Sequence, residues 1–107
     1  VAIHNGGQVL RDTLDAIKNQ TLKETDIIML DAASTDETES IMKSYLSDKR
    51  FRYIHRDSES ISEARNEGLE KAEGKYIAFG DVNVIFTSNF LEEMYICSIG
   101  SITFCRF

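Results

Sequence analysis

The sequence predicts an α/β fold built on a mostly parallel sheet, and three observations carry that reading. Short apolar runs of strand length alternate with longer segments of helical period. Two of those runs, Ile27-Ile28-Met29-Leu30 and Tyr76-Ile77-Ala78-Phe79, are apolar on successive rather than alternate residues, which suits parallel strands covered by helices on both faces. The order strand, helix, strand, helix, strand, helix, strand is that of successive crossovers over one sheet.

Val1-Ala2-Ile3 is the first strand. Leu10, Leu14 and Ile17 fall at helical spacing and predict an amphipathic helix from Gln8 to Asn19. Ile27 to Leu30 forms a central strand. Ser34-Thr35-Asp36-Glu37 reads as a capping box, ahead of a stripe of Ile41, Met42, Tyr45 and Leu46. Phe51-Arg52-Tyr53-Ile54 is the third strand. Ser60 and Glu63 repeat the capping logic for a helix carrying Ile61, Ala64, Gly68, Leu69 and Ala72, with Gly74 placed for a left-handed cap. Tyr76 to Phe79 is then a second central strand. A fourth helix starts near Ser88, has Glu92 and Glu93 in its first turns, and turns Phe90, Leu91, Met94 and Tyr95 inward. Ile102-Thr103-Phe104 is the last apolar run.

Composition narrows the function. The 107 residues are 42% hydrophobic and 28% charged, enough apolar content for one packed domain and too little in any one run for a membrane span or a signal peptide. Twelve Lys and Arg face 18 Asp and Glu, a net charge of -6. A phosphate backbone needs a surplus of cations on the protein, so nucleic acid is excluded as a partner class. Cys97 and Cys105 form neither a disulfide framework nor a metal motif and read as reduced thiols, which favours a cytoplasmic setting.

In a parallel sheet, ligands bind outside the carboxyl ends of the strands. The polar residues there are His4-Asn5-Gly6-Gly7, Asp31 to Ser34, His55-Arg56-Asp57 and Gly80 to Asn83. No GxGxxG follows the first strand and no GxxxxGK[ST] occurs, so dinucleotide and P-loop chemistry lack their defining loops. Asn5-Gly6-Gly7 can turn the chain tightly and bring amides near an anion. Asp31 and Asp81 follow the two most apolar runs, which predicts two carboxylates on one edge of the sheet. With a divalent cation between them, they can accept a diphosphate that they would otherwise repel. Lys49, Arg50, Arg52 and Arg56 read as a salt-bridged surface.

These segments together carry a resemblance. Ala2-Ile3-His4-Asn5, Asn19-Gln20-Thr21-Leu22, Leu30 to Asp36, Ile61 to Gly68 and Gly74 to Asn83 resemble, in register and at matching separations, the inverting family 2 glycosyltransferases of GT-A fold. The likeness runs from Val1 to about Tyr95. It implies a Rossmann-like three-layer sandwich, truncated here: residues 1–107 would be the single nucleotide-sugar-binding part, with the acceptor-binding half and its catalytic base absent. The family uses a nucleotide-sugar donor, commonly a UDP-sugar, with Mn2+ or Mg2+, and a saccharide or lipid-linked saccharide acceptor. That implies work in the cytoplasm or at the inner face of the membrane.

Carried over residue by residue, Ala2, Ile3 and His4 occupy the stretch that lies against the base, His4 with a flat ring able to stack. Asp31 matches the first acid of an Asp-Asp-Gly-Ser segment, whose second acid is Ala32 here. Arg65 matches the Arg of Ala-Arg-Asn-x-Gly near the nucleotide. Asp81-Val82-Asn83 stands for Asp-x-Asp, placing Asp81 near the ribose and metal and Asn83 on the metal. An amide oxygen brings no charge, and Val84 replaces a further frequent acid, so a weakened metal site is expected. The resemblance implies inverting transfer to an acceptor hydroxyl, with no catalytic residue inside this chain. These substitutions raise one alternative, a degenerate non-catalytic nucleotide-binding or assembly module. Strand edges that the missing half would cover are expected to be open, which implies self-association.

Overall fold

The computed structural model describes residues 1–99, and within them it has the predicted three-layer plan. The elements are β1 (Ala2–Ile3), α1 (Val9–Lys18), β2 (Ile27–Ala32), α2 (Thr38–Lys43), β3 (Phe51–Arg56), α3 (Ile61–Lys71) and α4 (Phe90–Ile99). The three strands form one parallel sheet in the order β1-β2-β3. Ile3, Asp31 and His55 are level with one another across it.

Alternation along the central strand separates two cores. Ile27 and Met29 of β2 pack with Ile3 of β1, Phe51 of β3 and the α1–α2 side chains Leu10, Leu14, Ile41, Met42 and Tyr45. Ile28, Leu30 and Ala32 turn the other way, toward Ala2, Ile54, Ile61 and Ala64 of α3. A strand buried on both faces cannot alternate apolar with polar, and this is why the run reads as continuously apolar. Close approach fixes α3 on its side, since a Cβ on Gly68 would lie 3.1 Å from Leu30 Cδ1.

The helix starts differ in their chemistry. Ser60 caps α3 as expected, its side chain accepting from Glu63 N at 3.3 Å. The Glu63 carboxylate, however, binds Arg56 and Ser58 instead of reaching back to Ser60. At α2 the predicted capping box does not form: Asp36 accepts from Thr38 N at 3.0 Å, while Ser34 is drawn away to accept from Asn5 N at 2.9 Å. Gly74 makes no left-handed cap; α3 ends at Lys71 and leaves through Ala72 in an extended conformation. Leu46, Leu69 and Tyr95, expected on inward stripes, are exposed, whereas Phe90, Leu91 and Met94 are half-buried.

The largest correction concerns Tyr76 to Phe79, which form no strand and are exposed. Gly80 lies against Val1, and Val82 against Gly6, so this segment follows the direction of β1 along its open side. Among the described residues, 76–79 pair with no strand of the sheet. Strand propensity without a neighbouring strand leaves the ladder unmade. The run Ile102-Thr103-Phe104 and Cys105 lie outside the described residues.

Gly6 joins β1 to the α1 layer at a point with no spare volume. A Cβ there would sit 2.9 Å from Ile3 Cγ2 and 3.3 Å from Leu10 Cβ, both core residues. Gly6→Ala is expected to destabilise the chain by about 1 to 3 kcal/mol, read as a lower urea midpoint with an unchanged slope.

Candidate functional site

The carboxyl edge of the sheet is organised from Asp31. Its side chain is completely buried. One carboxylate oxygen accepts from Ser34 N at 3.0 Å; the other accepts from the Tyr53 hydroxyl at 3.1 Å and from His55 Nδ1 at 3.4 Å. Burial, the largest influence, would raise its pKa, but the Ser34 hydroxyl and amide, Tyr53 and His55 together hold it below the ordinary carboxylate value. An ionised carboxylate only accepts, so the contact fixes the proton of His55 on Nδ1. Burial and the nearby Asp31 charge in turn push the Tyr53 phenol upward.

From Ser34 the order spreads to the loop after β1. Asn5 N donates to Ser34 Oγ, Gly6 N to Thr38 Oγ1 at 2.8 Å and Gly7 N to Asp36 Oδ2 at 3.0 Å, while Thr35 N donates back to Asn5 Oδ1 at 2.8 Å. The glycine turn expected to offer amides to an anion thus spends them on the neighbouring loop. Asn5, Gly7 and Ala33 hold positive φ, at 51°, 53° and 54°. Ala33 alone of these lacks both glycine's freedom and an Asn side chain's local hydrogen bonding.

His4, Arg65, Asp81 and Asn83 stand at the surface. His4 is half-buried; its Nδ1 donates to Ala32 O at 2.7 Å and its Nε2 accepts from the Asn5 amide at 3.2 Å, so both ring nitrogens are engaged. Ala2 is buried in the α3-side cluster and Ala32 is buried beside it. Asp81 opens a turn closed by Val84 N on Asp81 O at 3.4 Å, and the turn carries Asn83. Thr13 Oγ1 ties that turn to α1 by donating to Val82 O at 2.5 Å. Arg65 reaches out of α3 to bind Asp81, with Nη2 to Oδ1 at 2.5 Å.

Arg65 and Asp81 sit at a cavity of about 520 Å3 whose other walls are Phe79, Val84, Phe86 and Phe90. The rings of Phe86 and Phe90 are 5.0 Å apart between centroids. A concave apolar surface with a few convergent polar groups is the usual form of a small-molecule site. Sequence reasoning missed these phenylalanines as wall residues, because their spacing also fits a helix entry. It placed His55 at the carboxyl edge without linking it to Asp31; the signal was its place two residues after Tyr53 on a strand paired with Asp31.

The structure brings Arg65 and Asp81 together and places Asn83 on the same turn. Both oxygens of Asp31 have protein partners, Ser34 on one and Tyr53 and His55 on the other. Asp81 and Asn83 are hard oxygen donors of the kind Mg2+ and Mn2+ take, and the pair suits a cation that draws its remaining ligands from a phosphate and water. Among the described residues, no three His, Cys, Asp or Glu side chains are grouped to hold a metal ion by themselves. Three of the four basic residues expected on a salt-bridged surface are paired: Arg50 with Asp48, Arg52 with Asp26, and Arg56 with Glu63 and Glu67; no ion pair is seen for Lys49 among the described residues.

Asp31→Asn is expected to cost about 2 kcal/mol, because the amide turns a donor toward groups that already donate. The native carboxyl titrates below its unfolded value. Its contribution is therefore complete above about pH 4 and is lost as pH falls further. Urea unfolding at pH 7 and pH 3 should show less acid sensitivity in Asp31→Asn than in the wild type. Ala33→Gly relieves the left-handed strain and should stabilise by about 0.5 to 1 kcal/mol in the same assay.

Comparison with known proteins adds a family to this geometry. The family model described as glycosyl transferase family 2 matches residues 1–95. The candidate glycosyltransferase EpsH of Bacillus subtilis (strain 168) is 33% identical over 95 residues, which cover 88% of this chain and 28% of EpsH. Glycosyltransferase GlyA of Streptococcus pneumoniae serotype 4 is 33% identical over 96 residues, covering 89% of this chain and 14% of GlyA. The poly(ribitol-phosphate) beta-N-acetylglucosaminyltransferase TarP of Staphylococcus aureus (strain N315) is 34% identical over 95 residues, covering 85% of this chain and 29% of TarP. The chain thus spans less than a third of the length of these relatives. A match over residues 1–95, on a three-stranded parallel sheet with Asp81 bound to Arg65 of α3, places the chain in glycosyl transferase family 2.

Proposed function

We propose that this chain supplies the donor-binding part of a nucleotide-sugar-dependent, inverting glycosyltransferase, with a UDP-sugar as donor and a saccharide or lipid-linked saccharide as acceptor. The observation that carries the reading is the Arg65–Asp81 pair at the apolar cavity, next to the turn that bears Asn83. A cation and a carboxylate side by side, one on α3 and the other opening the turn that bears Asn83, meet both parts of a nucleotide diphosphate sugar. Arg65 suits the phosphates, and Asp81 suits the ribose hydroxyls and a divalent cation.

The His4 ring, held at both nitrogens, offers its face to a base. Asp31 positions the loops and meets no ligand itself. Phe79, Val84, Phe86 and Phe90 give the cavity an apolar side next to the solvent-exposed Arg65–Asp81 pair. Mn2+ or Mg2+, when bound through Asp81 and Asn83, supplies positive charge opposite the departing diphosphate. Acceptor binding and the base that deprotonates its hydroxyl belong to the part of the catalytic unit beyond these residues. No helix among the described residues is long and apolar enough to cross a membrane.

A second reading, a non-catalytic nucleotide-binding or assembly module, draws on two observations: Asn83 brings the metal no charge, and Ala32 is buried where an acid would reach a base. Calorimetry with UDP and Mn2+ separates the two. Metal-dependent binding that Asp81→Ala weakens at least tenfold supports the donor role, and no heat at millimolar UDP supports the module.

Asp81→Ala should change stability by less than about 1 kcal/mol, because its ion pair is solvent-exposed. Lost binding is then not lost folding. Asn83→Asp restores one charge to the cation site and should lower the Mn2+ concentration needed for half-maximal UDP binding by roughly tenfold.

A further inference from the structure

The Arg65–Asp81 pair has an electrostatic property that sets how ligands enter. Arg65 Nη2 lies 2.5 Å from Asp81 Oδ1, so the guanidinium occupies a position at the carboxylate that a divalent cation would take. Asn83, on the same turn, adds no charge, and among the described residues no group of three or more His, Cys, Asp or Glu side chains stands there. Both side chains remain substantially exposed, at 42% and 60%, so neither is locked in place by packing.

We infer that Arg65 is an internal counter-ion that excludes the divalent cation from Asp81 until a diphosphate arrives, so that metal and nucleotide bind as a pair. This rests on the donor-binding reading above and adds an order to it. The charges account for the effect. The ligand-free pair is neutral. A cation alone meets the Arg65 charge, and a diphosphate alone meets the Asp81 charge.

A nucleotide-sugar diphosphate carries two negative charges and the cation two positive, so the two together add nothing net. Arg65 moves from carboxylate to phosphate, the cation takes the freed carboxylate and the Asn83 oxygen, and every charge keeps a partner. The cavity wall of Phe79, Val84, Phe86 and Phe90 lowers the local dielectric on one side. There an unpartnered charge is most costly. Binding of each ligand must then favour the other by the same factor.

The test is Mn2+ binding to the whole chain without nucleotide, followed by Mn2+ electron spin resonance or calorimetry. Wild type should bind Mn2+ alone weakly. Arg65→Gln should bind it about threefold to fivefold tighter, the range that loss of an exposed ion pair allows. Arg65→Lys keeps the charge and should stay near wild type. With UDP present the order reverses: Arg65→Gln should bind UDP–Mn2+ more weakly than wild type. Unchanged circular dichroism and melting midpoints confirm that the variants fold. Equal affinity of wild type and Arg65→Gln for Mn2+ alone would overturn the inference. Failure of wild type to bind UDP with Mn2+ would overturn the donor reading instead, a separate arm of the same titration.

Discussion

The structure depends on one buried charge. Asp31 is the only fully buried acid among the described residues, and its two oxygens hold three separate pieces: the turn after β2 through Ser34, and two side chains of β3 through Tyr53 and His55. Removing a carboxylate from water is costly unless its lone pairs are filled. Here they are filled by groups that must be in their native places to reach it. Ser34 then presents its hydroxyl to Asn5, and Thr38 and Asp36 receive the next two amides. One ion thereby sets the conformation of both loops at the carboxyl edge, including the left-handed Ala33.

That chain of dependence explains what could be read from the residues and what could not. The three paired strands and their helices were legible because periodicity reports burial directly. Ile27 to Leu30 is apolar throughout since both of its faces are covered. Asp31 was legible as important, though not as what it is. Its position after an apolar strand is equally that of a ligand contact and of a loop organiser, and only the partners on both oxygens separate the two. Ser34 misled for a related reason. A serine three residues before Glu37 carries the capping pattern, but its hydroxyl is taken by Asn5, 29 residues earlier in the chain, and sequence spacing does not record such competition.

The Tyr76 to Phe79 run exposes a second limit. Apolar and aromatic content states that a segment can be a strand, whereas a strand exists only against a neighbour. Tyr76 to Phe79 pair with no strand among the described residues. The same geometry leaves Tyr76, Ile77, Val84 and Ile85 in water, Ile85 at 93% exposure. Exposed apolar residues this numerous in one stretch of chain mark it as a surface suited to being covered. That fits a segment that spans less than a third of its relatives.

The acidic balance of the chain also takes on a local meaning. Residues 57–107 carry most of the net charge, yet the turn from Asp81 to Val84 holds a single carboxylate. Two other acids of α3 are committed elsewhere, Glu63 and Glu67 to Arg56. Arg65 and Asp81 are thus bound to each other, at a turn whose other donor is neutral. A site with several acids would attract a divalent cation whether or not a phosphate was present. A site with one acid, one neutral amide and one arginine attracts the cation and the phosphate only together. The loss of carboxylates from this turn therefore alters the order of binding as well as its strength, and it does so through Arg65, a residue that is not itself a metal ligand.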